Sequence, residues 1–467
     1  MREAILVLAG LTLVYFLVLN TIYLVFTAIA WVEVTGHLRR RRFEPADEVF
    51  ASPLTPGISI LLPAFNEEVG VVDAVRSLLA LRYPLHEVIV TNDGSTDRTL
   101  EVLREAFDLV PVRKALRTAI PTAPVRATYV SRTHASLCVI DKKNGGKADA
   151  LNAALSAARH PYVCAVDGDS LIEEEALLRV ALPVLENPGL TVATGGMVRI
   201  ANGCRVEHGR VVEVGLPKSH LARLQVVEYF RAFFMGRTGW SRLNSLFIIS
   251  GAFGLFERSV VESAGGWWTD TAGDDLELVM RLQRRLREHG EAFRIEFVPD
   301  PVCWTEVPED VGTLSRQRRR WQRAVGETIN RHRSAIGRPS LGIFGVMALP
   351  YVLVFEFFGP VIELAGYLSV PILASLGLLS TRFLIAFLAV AILLGALLSI
   401  AALALEEFSF RRHDRGRDAA ILILYSLLEN FGFRQLQNIW RLGAYVDLAR
   451  GRKEWGAQRR KGFNTSP

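Results

Sequence analysis

The sequence has few of the residues that build disulfide scaffolds and metal clusters. Its 467 residues include only four cysteines and nine histidines. The cysteines show no C-x-x-C spacing, which argues against a zinc site and fits buried thiols in a reducing compartment: Cys138, Cys164, Cys204 and Cys303. The histidines form no H-x-x-x-H pair, and the chain has no Walker A loop. Histidine metal pairs and P-loop phosphate binding are therefore not expected.

Charged residues are scarce in two long stretches. Hydrophobic residues make up 50% of the chain, and the mean hydropathy is +0.25. Residues 4–32 are long enough to cross a bilayer and too long for the core of a signal peptide, so they predict a retained anchor. A second apolar block spans residues 341–405. Residues 55–335 have mixed charge and predict a soluble domain between the two.

The basic residues lie beside these apolar stretches. The net charge is +6, and arginines and lysines cluster at residues 39–42, 318–333, 411–417 and 450–461. This is the positive-inside pattern of a membrane protein rather than a nucleic-acid footprint. It predicts a multi-pass plasma or inner membrane protein with a cytoplasmic central domain, an external N-terminus and no nucleic-acid partner.

The second apolar block has room for three helices, divided near Gly359-Pro360: 341–357, 360–379 and 383–405. If all three crossed the bilayer, the basic loop at 411–417 would lie outside, against the charge rule. We therefore expect the first to be interfacial or re-entrant and the other two to form a hairpin. This gives three spans, with four or five as the alternative. The segment 419–446 carries three charged residues, which favours a surface helix pair or a helix shielded by the bundle: Glu429, Arg434 and Arg441.

The expected organisation has four parts: an N-terminal transmembrane helix (1–36), a cytoplasmic domain with interfacial helices (37–340), transmembrane helices (341–410) and a basic cytoplasmic helical region (411–467). The central part repeats strand, polar loop and helix four times, with strands at 58–62, 87–91, 137–140 and 162–166. This order predicts a parallel sheet with helices on both faces, whose ligands bind at the carboxyl ends of the strands. Residues 108–136 hold three prolines and are expected to form an irregular insertion over the sheet edge.

Polar residues follow the predicted strands. Asn66 and Glu67 form either a helix-entry turn or a contact to a nucleotide. Asp93 opens the segment Asp93-Gly94-Ser95-Thr96-Asp97, which serves as a turn and helix cap or accepts hydrogen bonds from a base or ribose. Lys147 follows two glycines at a helix start, where an anion is favoured. A solvated lysine after a glycine turn is the alternative.

One acidic pair follows a predicted strand, and another stands at the start of a predicted helix. Asp167-Gly168-Asp169 directly follows an apolar strand and either shares a divalent ion that carries phosphate oxygens or is an acid pair without a metal. Asp274 and Asp275 either interact with a helix dipole or supply a general base for a hydroxyl group. Gly251 lies in an apolar loop that lines an acceptor slot or packs in the core.

The segment Gln317-Arg318-Arg319-Arg320-Trp321 combines a cation with an aromatic platform. Gln317 and Arg320 are three residues apart and share one helix face. Arginine binds diphosphate in a two-pronged manner, and tryptophan offers a flat surface to a sugar ring. A basic juxtamembrane helix attracted to anionic lipid is the alternative. Arg318 and Arg319 are interpreted as surface charge near lipid.

Taken in order, these motifs resemble those of the membrane-embedded, processive glycosyltransferases of family 2, such as cellulose, chitin, hyaluronan and poly-N-acetylglucosamine synthases. The resemblance covers about residues 55–335 and extends to the layout of the flanking membrane helices. It implies an α/β fold: a GT-A, Rossmann-like cytoplasmic domain with a mostly parallel sheet, flanked by α-helical transmembrane segments. No cyclic-dinucleotide-binding barrel is expected in the residues after the membrane block, which departs from the pattern of bacterial cellulose synthases.

The resemblance assigns roles to the residues named above. Those implied to contact the nucleotide sugar are Asn66, Glu67, Asp93, Lys147, Asp167, Gln317 and Arg320. Asp167 and Asp169 match the D-x-D pair, with Asp169 on a bound Mg²⁺ or Mn²⁺. Asp275 is the implied base, but Asp274 stands where Glu is more usual, so both acids remain candidates. Trp321 and Gly251 are implied to contact the acceptor.

The implied function is inverting transfer from a nucleotide diphosphate sugar, a UDP-sugar, to a growing β-linked polysaccharide at the cytoplasmic membrane face, coupled to export. The expected partners are the donor, a glycan or lipid acceptor, the lipid bilayer and accessory export subunits. A non-processive enzyme that adds a single sugar to a lipid is the alternative. A transporter with an inactive domain is disfavoured by the intact acids, and a nucleic-acid or lipid-surface binder rests on charge alone.

Overall fold

The computed structural model describes residues 2–41, 55–113, 116–117, 120–207, 209–410 and 416–451. The parts of the predicted basic clusters at 411–415 and 452–461 lie outside these residues. The chain divides into two compact units. The sheet unit lies within residues 55–214 and 244–306, and the helical unit within residues 2–39, 215–243 and 307–451.

The strands and helices are numbered along the chain. The strands are β1 (Ile58–Ala64), β2 (His86–Asp93), β3 (Leu109–Val112), β4 (Val125–Ser131), β5 (Leu137–Lys142), β6 (Tyr162–Val166), β7 (Ser170–Ile172), β8 (Thr191–Ile200), β9 (Arg205–Glu207), β10 (Arg210–Glu213), β11 (Phe253–Glu257) and β12 (Arg294–Thr305). The α-helices are α1 (Arg2–Arg41), α2 (Val71–Leu79), α3 (Thr99–Phe107), α4 (Lys147–Ala157), α5 (Ala176–Glu186), α6 (His220–Glu228), α7 (Gly236–Arg242), α8 (Arg258–Ser263), α9 (Asp274–Glu288), α10 (Val311–Arg331), α11 (Leu349–Tyr351), α12 (Gly359–Ser375), α13 (Thr381–Leu388), α14 (Leu394–Phe410), α15 (Gly416–Leu428) and α16 (Arg434–Ala449). Short π-helical segments join several of them: Tyr229–Met235, Phe344–Ala348, Val352–Phe357, Ala389–Leu393 and Glu429–Phe433.

A ten-stranded sheet forms the core of the sheet unit, in the order β3-β4-β5-β2-β1-β6-β11-β8-β12-β7. The four strands predicted from the sequence lie at its centre and run parallel: β5, β2, β1 and β6. The prediction of a mostly parallel sheet is nevertheless wrong, because β3, β4, β7 and β11 pair antiparallel with their neighbours. The sheet is mixed: β3 and β4 join the parallel centre at β5 as consecutive antiparallel strands, which need no crossover helix, whereas β7 and β11 pair with strands that are distant in sequence.

The segment 108–136 lies at the sheet edge, as predicted, but it is not irregular throughout. It contains β3 and β4, which pair antiparallel with each other. Pro111 lies within β3, the terminal strand of the sheet. Proline lacks the N–H that a central strand needs, but an edge strand tolerates it.

Helix α4 crosses the parallel centre and packs against β1 and β2. Its alanines and leucines are nearly all buried. Small side chains allow the helix to lie close to the strands, and its first residue is Lys147. The helix therefore presents Lys147 at the carboxyl edge of β5, directly after the glycine turn.

The helical unit contains two helices that are long and apolar enough to cross a bilayer, judged by length and composition: Ile5–Arg39 and Thr381–Ser409. A third candidate is a pair of segments, Phe344–Phe357 and Gly359–Ser375, bent by 51°. The bend lies at the predicted division near Gly359-Pro360. The number of spans and their orientation remain predictions.

The segment at 419–446 buries one of its three charged residues, Glu429, within the helical unit. The chain breaks its helical geometry at Phe431 and Gly432, between α15 and α16. Glu429 is buried and accepts a hydrogen bond from Ser399 Oγ at 2.6 Å. A buried carboxylate requires such partners; whether the segment is a surface helix pair or a shielded helix stays a prediction.

Candidate active site

The loops after β1 and β2 are tied together at the carboxyl edge of the sheet. Asn66 Oδ1 accepts a hydrogen bond from the Thr96 N–H at 2.8 Å, and the Asn66 N–H donates to Ser95 Oγ at 3.0 Å. The Glu67 N–H donates to Thr99 Oγ1 at 2.9 Å. These bonds give Asn66 and Glu67 a structural task in the loop, in addition to the nucleotide contact predicted for them.

Asp93 organises the glycine turn that precedes α4. Its buried carboxylate accepts hydrogen bonds from the Gly145 N–H at 3.0 Å and the Gly146 N–H at 2.7 Å. It also pairs with Lys142 Nζ at 2.6 Å. A Cβ on Gly94 would lie only 2.6 Å from the backbone nitrogen of Asn144, so the two loops are in close contact. Asp93 thereby fixes the turn on which Lys147 stands.

Lys142 is a site residue that the sequence reasoning missed. Its side chain is fully buried and pairs with both Asp93 and Asp149. Asp149 in turn accepts a hydrogen bond from the Ala123 N–H at 2.9 Å. The sequence offers no signal that separates Lys142 from the exposed Lys143 beside it, because only the β5 register shows which of them points inward.

Lys147 is the centre of a charged cluster that the predicted residues form in space. Its ammonium lies 2.5 Å from Asp167 Oδ1. A Cβ on Gly251 would lie 2.8 Å from Lys147 Nζ and 3.5 Å from Asp275 Oδ2, so Gly251 borders both groups. Residues from α4, the turn after β6, the loop before β11 and the start of α9 thus meet at one edge of the sheet.

Burial and the neighbouring charges shift the pKa values of Lys147 and Asp274. Burial alone lowers the pKa of Lys147, but Asp167, Asp274 and Asp275 together raise it above its ordinary value. Burial raises the pKa of Asp274; Lys147 opposes this rise, whereas Asp275 and Asp167 add to it. One ammonium faces three carboxylates, so the cluster has an excess of acidic groups.

The two acids at the start of α9 have different surroundings. Asp274 is buried, whereas Asp275 is partly exposed. Asp275 Oδ2 accepts a hydrogen bond from the Gly251 N–H at 3.1 Å, and Oδ1 accepts one from the Leu276 N–H at 2.8 Å. These two donors orient the Asp275 carboxylate while leaving it accessible.

Asp167 and Asp169 follow β6 directly and offer carboxylate oxygens, the ligands that hard divalent cations prefer. Within the described residues, no group of three or more His, Cys, Asp or Glu side chains is placed to hold a metal ion. A two-carboxylate donor set fits a cation such as Mg²⁺, which binds one or two carboxylates and takes its remaining ligands from phosphates and water.

The other predicted residues lie on α10 in the helical unit. This helix begins after Asp310, whose carboxylate accepts a hydrogen bond from the Thr313 N–H at 2.8 Å. Its motif face is defined here as Gln317, Arg320 and Trp321. Gln317 Oε1 is buried and accepts no hydrogen bond from any residue that the structure describes.

The interpretation as surface charge near lipid is wrong for Arg318, whereas for the partly exposed Arg319 it stays a prediction. Arg318 is buried, pairs with Glu228 at 2.8 Å and lies over the Trp321 ring at 4.4 Å. Arg319 forms an ion pair with Asp447. Buried arginine requires such partners, and Arg318 thereby supports the indole of Trp321.

Residues 56–324, more than half of the chain, match the family described as glycosyltransferase like family 2. The poly-β-1,6-N-acetyl-D-glucosamine synthase of Staphylococcus epidermidis is 30% identical over 275 residues, which cover 59% of this chain and 56% of that protein. The synthase of the same name from Staphylococcus aureus strain COL is 28% identical over 315 residues, covering 67% of this chain and 63% of that protein. The matched region thus spans less than two thirds of either relative.

A solved structure supports the fold. The mannosyltransferase PcManGT from Pyrobaculum calidifontis, in complex with GDP-Man and Mn²⁺, aligns with a TM-score of 0.50 at 17% identity. The alignment covers 93% of this chain and 100% of that chain. Together with the family match, this confirms the predicted GT-A-like fold, with a mixed rather than a mostly parallel sheet.

Proposed function

The chain belongs to glycosyltransferase-like family 2, as its motif order predicted, and we propose that it transfers a sugar from a nucleotide diphosphate sugar to a growing β-linked polysaccharide at the membrane. The observation that carries this proposal is the cluster of Lys147, Asp167, Asp275 and Gly251 at the carboxyl edge of the sheet. It combines a cation for a phosphate-bearing donor with an oriented carboxylate for an acceptor hydroxyl.

Asp275 is the proposed general base. The acceptor hydroxyl oxygen attacks the anomeric carbon of the donor and forms the new C–O bond. The bond from that carbon to the diphosphate oxygen breaks, and its electron pair leaves with the nucleoside diphosphate. Asp275 takes the hydroxyl proton. A single displacement converts an α-linked donor into a β-linked product.

The remaining residues bind the donor and balance its charge. Lys147 offers an ammonium to the diphosphate, and Arg320 keeps its predicted role of balancing the charge of the donor. Asp167 and Asp169 are the residues that would hold a divalent cation, Mg²⁺ or Mn²⁺, which when bound supplies positive charge to the leaving diphosphate. Trp321, supported by Arg318, offers a surface to the acceptor sugar.

The names of the relatives point to N-acetylglucosamine as the first sugar to test. Purified full-length protein in lipid should be incubated with a panel of UDP-sugars and GDP-sugars, with release of nucleoside diphosphate and product mass as readouts. We expect release and a long polymer with UDP-N-acetylglucosamine, and loss of both in EDTA. No release with any donor would refute the proposal.

The same experiment separates polymer synthesis from its alternative. A processive enzyme gives products of many sugars even when most acceptors remain unextended. An enzyme that adds a single sugar to a lipid gives one product whose mass exceeds that of the acceptor by one residue. The second outcome would retain the transfer chemistry and reject the polysaccharide.

A further inference from the structure

Helix α10, which carries the motif face, packs against helix α16 of the same unit. Residues 434–449, which form α16, lie outside the region that matches the family. On the basis of the function proposed above, we propose that Arg319 and Asp447 are positioning residues that set the place of the motif face.

The geometry of α10 separates its two faces. Counted from Gln317 at about 100° per residue, Arg319, Gln322 and Gly326 lie at about 140° to 200° around the helix. Arg320 and Trp321 lie within about 60° of Gln317. The residues that contact α16 are therefore opposite the motif face, and movement at one face is transmitted to the other by a rigid helix.

The first attachment is the ion pair. Arg319 Nε donates to Asp447 Oδ2 at 2.5 Å, and Nη2 donates to Oδ1 at 2.8 Å. Such a two-pronged pair fixes direction as well as distance. A Cβ on Gly443 would lie 2.8 Å from Arg319 Nε. The glycine thus leaves the space in which the guanidinium crosses α16.

The second attachment lies one turn further along α10. The buried Gln322 accepts a hydrogen bond from Arg441 Nε at 2.7 Å and donates from Nε2 to the Phe357 carbonyl at 2.9 Å. Arg441 Nη2 also donates to the Glu356 carbonyl at 2.6 Å. Both the oxygen and the nitrogen of the Gln322 amide therefore form hydrogen bonds. Together with the ion pair, they restrict rotation of α10 and its movement along its own axis.

Displacement of the motif face should affect catalysis more than donor binding. The charge that Arg320 is proposed to balance develops as the diphosphate leaves, so the interaction is strongest in the transition state. A displacement of about 1 Å can cost up to roughly 100-fold in rate. Loss of the Arg319–Asp447 pair is therefore expected to lower kcat while the donor KM changes much less.

The test uses the full-length protein and three variants. Asp447→Asn keeps the size of the side chain and removes its charge, Asp447→Glu keeps the charge, and Arg333→Ala removes an exposed arginine just after α10. We expect Asp447→Asn to lower kcat roughly 10- to 100-fold, Asp447→Glu to restore most of the loss, and Arg333→Ala to match the wild type. Equal kcat in Asp447→Asn and the wild type would overturn the proposal.

Amide hydrogen exchange across residues 311–331 gives a readout that does not depend on activity. We expect faster exchange in Asp447→Asn than in the wild type or Arg333→Ala, because α10 loses one of its two attachments. If the wild type transfers no sugar, the proposed function fails, and exchange alone judges the positioning role. Unchanged exchange in Asp447→Asn would then overturn it.

Discussion

Asp274 and Asp275 are neighbours in sequence, yet their surroundings suit different tasks. Asp274 is buried beside Lys147, and burial together with nearby acids raises its pKa. Asp275 is partly exposed and is oriented by the N–H groups of Gly251 and Leu276. A general base must reach the acceptor hydroxyl, so this arrangement favours Asp275 for the proton and Asp274 for the charge around Lys147.

Replacement of Asp275 tests the first of these tasks. Asp275→Asn keeps the shape of the side chain and removes its capacity to take a proton. We expect kcat to fall by about 10²- to 10⁴-fold, while the donor dissociation constant, measured by calorimetry, stays near that of the wild type. Turnover at the wild-type rate would reject Asp275 as the base.

The pH dependence of activity tests whether the charge of Asp274 is needed near Lys147. A carboxyl group with a raised pKa becomes protonated at a higher pH than the ordinary value of about 3.9. Protonation of Asp274 removes a charge that attracts Lys147, so activity should fall as pH drops through that raised pKa. In Asp274→Asn this titration is absent, and the acid limb of kcat/KM against pH should move to lower pH. An unmoved acid limb would show that another group governs it.

Among the secondary-structure elements, the loop between β5 and α4 depends on a network of buried charges. Lys142 lies between Asp93 and Asp149, and Asp93 in turn accepts hydrogen bonds from the two glycines before α4. Removing one partner from a buried ion pair leaves the other charges uncompensated. The position of Lys147 therefore depends on a residue that need not touch any ligand.

Lys142→Met should destabilise the protein by about 3–5 kcal/mol, because Asp93 and Asp149 lose their buried counter-charge. Lys143→Met is the matched control, since that side chain is exposed. Thermal unfolding of the two purified variants gives the comparison. Equal unfolding midpoints would contradict the structural role of the network.

Much of the parallel centre of the sheet could be predicted, because β1, β2, β5 and β6 are apolar runs that each precede a polar loop and a helix. The antiparallel edges could not. Pro111 argued against a strand, but it lies in the terminal strand, where its missing N–H does no harm. Strand order beyond the repeat depends on long-range pairing that local pattern does not encode.

For the same reason, only part of the candidate site could be predicted from the sequence. The predicted residues Lys147, Asp167 and Asp275 were visible as motifs, and the fold brings them together. Lys142 and Arg318 were missed or misread, because their roles depend on distant partners. Glu228 is 90 residues from Arg318, and Asp447 is 128 residues from Arg319.

At the scale of the whole molecule, the chain combines a GT-A-like sheet unit with a helical unit that has two candidate membrane spans. We expect the full-length protein to remain in the membrane fraction after washing with alkaline carbonate, since helices of this length and apolarity are retained by the bilayer core. Release by carbonate, with detergent not required, would indicate a peripheral protein instead.

The anomeric configuration of the newly formed linkage is the sharpest test of the proposed transfer. Wild-type protein in lipid is given an α-linked UDP-sugar, and the product is analysed by nuclear magnetic resonance or digested with β-specific hydrolases. A single displacement assisted by Asp275 predicts β-linkages only. Products with α-linkages would rule out this single displacement. They require a second displacement, for which no residue is assigned.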